Sequence, residues 1–267
     1  MSAVDALFAK LKAENRKAFV PFVTAGDPNL DVTKKLIIEL ERRGASLCEL
    51  GIPYSDPIAD GPIIQASYTR ALDAKIKLAA ILQMAQQATS QVQMPVVSMV
   101  SYAIIFRHGL EAYVQDAKAA GFAGAIVPDL LVEESAEMSQ ICQKHDFSLI
   151  QLITPTTPRE RAIRIAESSS GFIYYVSVTG ITGERTELPA SVVDQVGWLR
   201  EQTPLPICIG FGISRPEHIR MLSPVADGVI VGSAIVKRIA QHAAEGDAAI
   251  LKAVGDYAEE LVAALNE

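Results

Sequence analysis

Short apolar runs alternate with helical patterns along the whole chain, and this alternation limits the fold more than any other feature. Several runs are apolar at nearly every position, as parallel strands covered on both faces must be. No series of hairpin turns joins them, which also indicates parallel pairing. The eight runs are Ala18–Thr24, Ser46–Gly51, Pro95–Tyr102, Ala123–Pro128, Phe147–Thr154, Gly171–Ser177, Pro206–Gly210 and Asp227–Gly232. The helical patterns are Val32–Arg43, Leu78–Thr89, Leu110–Ala120, Glu133–Lys144, Arg159–Glu167, Ala190–Gln202, Pro216–Leu222, Ala234–Ala240 and Asp247–Leu265.

Eight strand and helix units fit two architectures. The length of 267 residues is close to the roughly 250 residues typical of a (β/α)8 barrel. An open doubly wound sheet fits the same alternation, but no G-x-G-x-x-G turn follows the first run. We therefore predict a (β/α)8 TIM barrel, preceded by an extra N-terminal helix in the amphipathic segment 1–14. Because no linker or low-complexity segment divides the chain, we expect residues 1–267 to form a single domain.

Composition and charge exclude several classes of function. The net charge is -7, from 24 basic and 31 acidic residues, and no basic cluster is present, so we expect no nucleic-acid partner. No stretch of 18 apolar residues occurs, and the N-terminus lacks the apolar run of a signal peptide, so we expect a cytoplasmic protein without a membrane span. The four histidines show no metal-ligand spacing, so we predict no metal site.

Carboxylates lie at and beyond the end of the second run, which reads Cys-Glu-Leu-Gly-Ile-Pro-Tyr-Ser-Asp-Pro-Ile-Ala-Asp-Gly over residues 48–61. Strand alternation directs Glu49 toward the barrel interior, where no run offers an obvious basic partner. We interpret Glu49 as a catalytic acid and base, and a structural ion pair is the alternative. Asp60 lies in the loop that leaves this strand and can fold back over the barrel mouth, although an ordinary turn also favours aspartate.

Glycine turns follow the last two runs and predict a phosphate site. Gly210 and Gly212 flank the end of the seventh run, and Gly232 and Ser233 close the eighth before a helical pattern. Backbone N–H groups in such turns can approach an anion, and barrels commonly bind phosphate after strands seven and eight. Ordinary tight turns remain the alternative.

The segment 177–187 after the sixth run is long and polar, as lids on barrels often are, and a plain surface loop is the alternative. In this segment, Gly183 could add an N–H to a phosphate and Thr182 could hydrogen-bond a catalytic carboxylate. Four aromatic residues at or near strand ends could wall an aromatic substrate, although each alone is more typical of core. These are Phe22, Tyr102, Tyr174 and Phe211.

These motifs resemble the tryptophan synthase alpha chain family. The likeness is carried by residues 22–28, 49–61, 210–213 and 232–236, and it extends over effectively the whole chain. It implies a (β/α)8 barrel and the retro-aldol cleavage of indole-3-glycerol phosphate to indole and glyceraldehyde 3-phosphate. It also implies a pyridoxal-phosphate beta chain as the partner in an alpha2beta2 complex, no cofactor in this chain, and a loop around Asp56 that faces the partner.

The resemblance also implies roles for particular residues. Glu49 would move protons at indole C3 and at the glycerol hydroxyl, and Asp60 would accept the indole N–H. The phosphate would be bound at Gly183, Gly212, Gly232 and Ser233, and the indole side would be lined by Phe22, Tyr102, Tyr174 and Phe211. Two departures from the family pattern, Cys48 and Leu131, should affect packing and not the reaction.

Two other functions remain open from the residues. One is a different phosphosugar barrel enzyme, such as an isomerase or a synthase on the same indole pathway. The synthase would need a lysine acid near the mouth, and the strand runs contain none. The other is a catalytically silent barrel that acts as a regulatory subunit.

Overall fold

A computed structural model describes residues 1–58, 60–176, 190–210 and 212–267. Its strands form one parallel sheet in the order β5-β4-β3-β2-β1-β9-β8-β7-β6. The strands are β1 Ala18–Thr24, β2 Cys48–Gly51, β3 Val96–Met99, β4 Phe122–Ile126, β5 Ser148–Ile150, β6 Leu152–Ile153, β7 Ile173–Val176, β8 Ile207–Gly210 and β9 Gly228–Val231.

The two ends of this strand order meet, and the sheet closes into a barrel. The terminal strands β5 and β6 are the two halves of the predicted fifth run, Phe147–Thr154. Gln151 separates them, so that β5 pairs with β4 while β6 pairs with β7. The Gln151 side chain turns away to donate to the Ser168 hydroxyl at 2.7 Å. The predicted (β/α)8 barrel is confirmed, and its fifth strand divides its hydrogen bonds between two neighbours.

The helices surround this sheet, and a 3₁₀ turn, Ala243–Glu245, joins the last two of them. They are α1 Ala3–Ala13, α2 Leu30–Arg42, α3 Pro62–Asp73, α4 Leu78–Thr89, α5 Tyr102–His108, α6 Leu110–Ala119, α7 Ala136–Lys144, α8 Arg159–Ser168, α9 Ala190–Gln202, α10 Pro216–Leu222, α11 Ser233–His242 and α12 Asp247–Leu265. No helix within the described ranges has both the length and the apolar character needed to cross a bilayer.

The prediction that the third strand extends to Tyr102 is wrong, because the strand ends at Met99 and Tyr102 begins α5. Ser101 accepts the Ala103 N–H at 3.3 Å, and Asp129 accepts the Tyr102 N–H at 2.7 Å. These side chains satisfy N–H groups that a helix start leaves without partners, and they start a helix where the apolar residues favour a strand.

Two hydrophobic clusters separate the inside of the barrel from its outside. Val20, Leu47 and Val97 pack inside the sheet, and α1 contributes Phe8 to the same cluster. The Phe8 ring lies 5.6 Å from that of Phe172, just before β7, so α1 covers the amino-terminal end of the barrel. The predicted N-terminal helix is therefore present, and the carboxyl-terminal end remains for the site.

Candidate active site

A cavity of about 590 Å³ lies at the carboxyl-terminal end of the strands. This volume is within the range of about 300–1,000 Å³ that is usual for small-molecule sites. Most of its lining residues lie at the ends of strands or directly after them. The predicted site residues among them are Phe22, Glu49, Asp60, Tyr174, Gly212, Gly232 and Ser233.

Glu49 points into the barrel, as the alternation of β2 predicts. Leu47 belongs to the inner cluster, whereas Cys48 and Leu50 pack in the outer one. The Glu49 side chain is completely buried, and neither carboxyl oxygen has a hydrogen-bond partner among the described residues. No arginine or lysine among the described residues pairs with Glu49, as a structural ion pair would require. An unpaired buried carboxyl is costly when ionised, and such groups are candidates for a functional role.

Burial and charge give the two cavity carboxyls different proton affinities. Loss of solvation raises the pKa of Glu49 to about 8, and the negative charge of Asp60 adds to this shift. Burial also raises the pKa of Asp60, to about 6. At neutral pH, Glu49 is therefore mostly protonated while Asp60 is mostly ionised, an arrangement that suits an acid working beside a fixed negative charge.

Asp60 is held in the loop between β2 and α3. Its backbone N–H donates to the Pro57 carbonyl at 3.1 Å, and its own carbonyl accepts from the Gln65 side chain at 2.7 Å. Gln65 lies on α3, so this helix holds the backbone of the loop at Asp60. Asp60 lines the same cavity as Glu49, at the carboxyl-terminal end of the barrel.

Two glycines at strand ends make room for the aromatic walls. A Cβ atom at Gly51 would lie 2.5 Å from Cζ of Phe22, and one at Gly210 would lie 2.5 Å from Cε2 of Tyr174. Such distances are too short for carbon atoms in contact, so the rings occupy space that only glycine leaves open. Phe22 and Tyr174 both line the cavity, as the sequence predicts.

Three of the four residues predicted to bind phosphate, Gly212, Gly232 and Ser233, line the cavity. Gly212 follows β8 with φ of +69°, a conformation that favours glycine. Gly232 immediately precedes α11, which begins at Ser233. The first N–H groups of a helix lack partners within the helix and attract anions. The cavity therefore has a carboxyl wall and a wall of backbone donors.

Four of the predicted site residues are not among the described lining residues. Tyr102 lies on α5, where its ring packs 6.1 Å from that of Phe106. Thr182, Gly183 and Phe211 lie outside the residues that the structure describes. Their assignments stay predictions.

Several lining residues were not predicted from the sequence. Lys237 and Arg238 line the cavity from α11, and Ile63 and Ile64 line it from α3. Position 237 is one helical turn after Ser233, so its spacing could have indicated the shared face. Helix α3 was not predicted, because it begins with Gly61-Pro62, which also reads as a turn, and has no side-chain cap.

The described residues contain no group of three or more His, Cys, Asp or Glu side chains that could hold a metal ion. What the cavity offers is a protonated carboxyl, an ionised carboxyl, aromatic walls and a helix N-terminus. These features define a (β/α)8-barrel enzyme that combines acid–base chemistry with anion binding.

The sequence of residues 8–266 matches the family model described as tryptophan synthase alpha chain. The alpha chain of Rhodopirellula baltica is 61% identical over 243 residues, which span 90% of this chain and 87% of that protein. The solved alpha subunit from Legionella pneumophila superposes with a TM-score of 0.91 at 35% identity and covers 100% of this chain and 99% of that one. A Pyrococcus furiosus structure of the a2b2 complex gives a TM-score of 0.86 at 35% identity, with 93% and 99% covered.

This chain belongs to the tryptophan synthase alpha chain family. Its reaction is that of the family, the cleavage of indole-3-glycerol phosphate to indole and glyceraldehyde 3-phosphate, and it is a carbon–carbon lyase of tryptophan biosynthesis. The resemblance inferred from the sequence motifs is confirmed.

Proposed function

We propose that Glu49 moves the protons of this cleavage and that Asp60 binds the indole nitrogen. The observation that supports this assignment best is the complete burial of Glu49, whose carboxyl oxygens have no partner among the described residues. A group held in this way is available to a substrate, because no protein contact has to be broken first.

The cleavage needs one proton donor and one proton acceptor, and Glu49 can serve as both in turn. Protonated Glu49 gives its proton to indole C3, which places a positive charge on the indole nitrogen. The resulting carboxylate then takes the proton of the glycerol hydroxyl. The carbon–carbon bond breaks, and its electron pair returns to the indole ring. Glyceraldehyde 3-phosphate leaves as the aldehyde, and Glu49 is protonated again.

Asp60 stabilises the charge that develops during the first step. Its carboxylate is ionised at neutral pH, because its pKa is about 6. As an acceptor of the indole N–H, it lowers the energy of the positively charged intermediate more than that of the neutral substrate. The indole ring would lie between Phe22 and Tyr174, while the phosphate would rest at Gly212, Gly232 and Ser233. We keep Gly183 as a further phosphate contact, Tyr102 and Phe211 as further indole contacts, and Thr182 as a residue that hydrogen-bonds a catalytic carboxylate.

We also propose a partner surface formed by Ile58, Phe106 and Leu131. These apolar side chains are 85%, 69% and 51% exposed. They follow β2, β3 and β4, which are neighbours in the sheet, so they lie on the carboxyl-terminal side of the barrel beside the cavity. Exposed apolar groups in one region indicate a binding surface. Asp56, in the same loop as Ile58, would face the same partner.

The proposed partner is a tryptophan synthase beta chain in an alpha2beta2 complex, located in the cytoplasm. The Pyrococcus furiosus structure of the a2b2 complex supports this assembly by similarity. Indole released in the cavity would pass to the beta chain, which would carry the pyridoxal phosphate. The steps assigned to this chain use its carboxyl and backbone groups and no cofactor.

The test measures indole release from indole-3-glycerol phosphate, with and without a beta chain. Replacing Glu49 by Gln keeps the shape of the side chain but removes the proton, so kcat should fall by about 10²- to 10⁴-fold. The Asp60→Asn variant should lose about 10²-fold, because one stabilising charge is lost. Glu134→Gln, which changes an exposed acid on the same side of the barrel, is the matched control and should keep full activity.

Two outcomes would favour the alternatives. Full activity in Glu49→Gln would remove Glu49 from the chemistry. No indole from the wild-type chain, even with the beta chain present, would instead support a silent regulatory barrel.

A further inference from the structure

Lys237 is a cationic cavity residue to which the proposed steps assign no role. It lies on α11 and lines the same cavity as Glu49 and Asp60. Its side chain is exposed, and within the described residues it forms no ion pair or hydrogen bond. This cavity also contains two carboxyls, and the ammonium group of Lys237 adds a compact positive charge that an anionic ligand can contact.

Helix geometry places the Lys237 side chain next to the N-terminus of α11. Ser233 is the first residue of this helix, and Lys237 follows it by one turn on the same face. Helical side chains lean toward the N-terminus of their helix, so the stem of Lys237 extends back over the first turn. The ammonium group can therefore reach the space in front of the backbone N–H groups of Gly232 and Ser233.

The neighbouring cation, Arg238, is already engaged. Its guanidinium lies 3.3 Å from the centre of the Tyr257 ring on α12, and it donates to the Ala234 carbonyl at 3.0 Å. These contacts bind Arg238 between α11 and α12. Among the described residues that line the cavity, Lys237 is the cation still available to a ligand.

We propose that Lys237 binds the phosphate of the substrate and sets the preference of this site for phosphorylated over unphosphorylated ligands. This inference rests on the proposed function, which places the phosphate at the N-terminus of α11. A phosphate dianion there would accept N–H groups from the backbone on one side and from the ammonium group on the other. Both contacts are charge-assisted, and such hydrogen bonds are stronger than neutral ones.

Lys237 is a binding residue, and it moves no proton in the reaction. Its contact with the phosphate is the same before and during the cleavage, because the phosphate does not react. Removing a contact of this kind weakens substrate binding and leaves the chemical step unchanged. The effect should therefore appear in KM and not in kcat.

Steady-state kinetics on the full chain test this inference. We expect Lys237→Met to raise KM for indole-3-glycerol phosphate by about tenfold and to change kcat by less than about twofold. KM of the variant should also depend less on salt, because one charge contact with the ligand is lost. Lys237→Arg, which keeps the charge, should recover most of the binding.

Lys10→Met is the matched control, since Lys10 is an exposed lysine on α1 at the other end of the barrel. Circular dichroism confirms that each variant is folded. A KM for Lys237→Met that rises no more than that of Lys10→Met would overturn the role of Lys237. A rise of about tenfold in KM for Lys237→Met whose salt dependence is the same as that of wild type would also overturn it.

Titration calorimetry with inorganic phosphate separates this inference from the proposed reaction. If the wild-type chain releases no indole, the proposed function fails, but the phosphate affinity of wild type and Lys237→Met can still be compared. Weaker phosphate binding in Lys237→Met than in Lys10→Met supports the inference. Equal binding in the two variants contradicts it.

Discussion

At the scale of single residues, the site depends on the difference in environment between Glu49 and Asp60. Both are carboxyls in one cavity, yet Glu49 is completely buried and Asp60 is partly exposed. This difference keeps the first neutral and the second charged near neutral pH. The buried neutral acid can protonate a carbon atom, and the neighbouring carboxylate can then stabilise the cation that forms.

The raised pKa of Glu49 should appear in the stability of the protein. Its pKa rises from 4.5 in the unfolded chain to about 8 in the fold, so between these values the folded state holds more protons than the unfolded state. The free energy of unfolding therefore falls as pH rises through this window.

Urea unfolding of wild type and Glu49→Gln at several pH values measures this linkage. From about pH 5 to pH 7, wild type should lose about 2 kcal/mol relative to the variant. The variant should keep the dependence that comes from the other groups, among them Asp60, whose pKa rises from 3.8 to about 6. Parallel curves for the two proteins across this range would show that Glu49 ionises normally.

How far the site could be predicted depends on the kind of residue. Glu49 was predictable, because a carboxylate within an apolar run stands out against the strand alternation. Lys237 was not, because a lysine on an amphipathic helix is usually a solvated surface residue. Its spacing from Ser233 indicates a shared helix face, and the contact between α11 and the cavity then distinguishes Lys237 from the other lysines of the chain.

At the scale of the elements, all the strand runs were located from the sequence, and helices α4, α9, α10 and α12 have the predicted bounds, whereas two helices were missed. Apolar runs identify buried parallel strands well, and β1 has the predicted bounds. Helices α3 and α5 were missed because polar caps and a Gly-Pro start also occur in turns. The divided fifth strand could not be predicted either, since the break at Gln151 reflects which neighbour each half pairs with.

Helix α3 supports the loop that carries Asp60, and its own position depends on an ion pair with Asp27. Arg70 on α3 forms two hydrogen bonds, of 2.8 and 2.7 Å, with Asp27 after β1. The Asp27 side chain is only 1% exposed. Arg70→Met should therefore destabilise the protein by about 3 kcal/mol, because it leaves a buried carboxylate without its partner.

Urea unfolding again provides the measurement, with Arg42→Met as control. Arg42 is 67% exposed, and its partner Glu39 also binds Arg43, so its loss should cost less than about 1 kcal/mol. Equal losses in the two variants would mean that the Asp27 pair does not hold α3 in place.

At the scale of the whole molecule, the two ends of the barrel have different tasks. Helix α1 closes the amino-terminal end with apolar side chains, including Phe8. The carboxyl-terminal end holds the cavity, and the exposed apolar residues Ile58, Phe106 and Leu131 lie on the same side. This separation lets stability and catalysis be supplied by different parts of the same sheet. That residues 1–267 form one domain remains a prediction.

The proposed reaction requires Glu49 to be protonated at neutral pH inside the barrel. Carbon-13 NMR of the glutamate side-chain carboxyls tests it most directly, with the Glu49 signal assigned by its absence in Glu49→Gln. We expect this carboxyl to titrate with a midpoint of about 8 in the free chain. A midpoint near the ordinary value of 4.5 would contradict it.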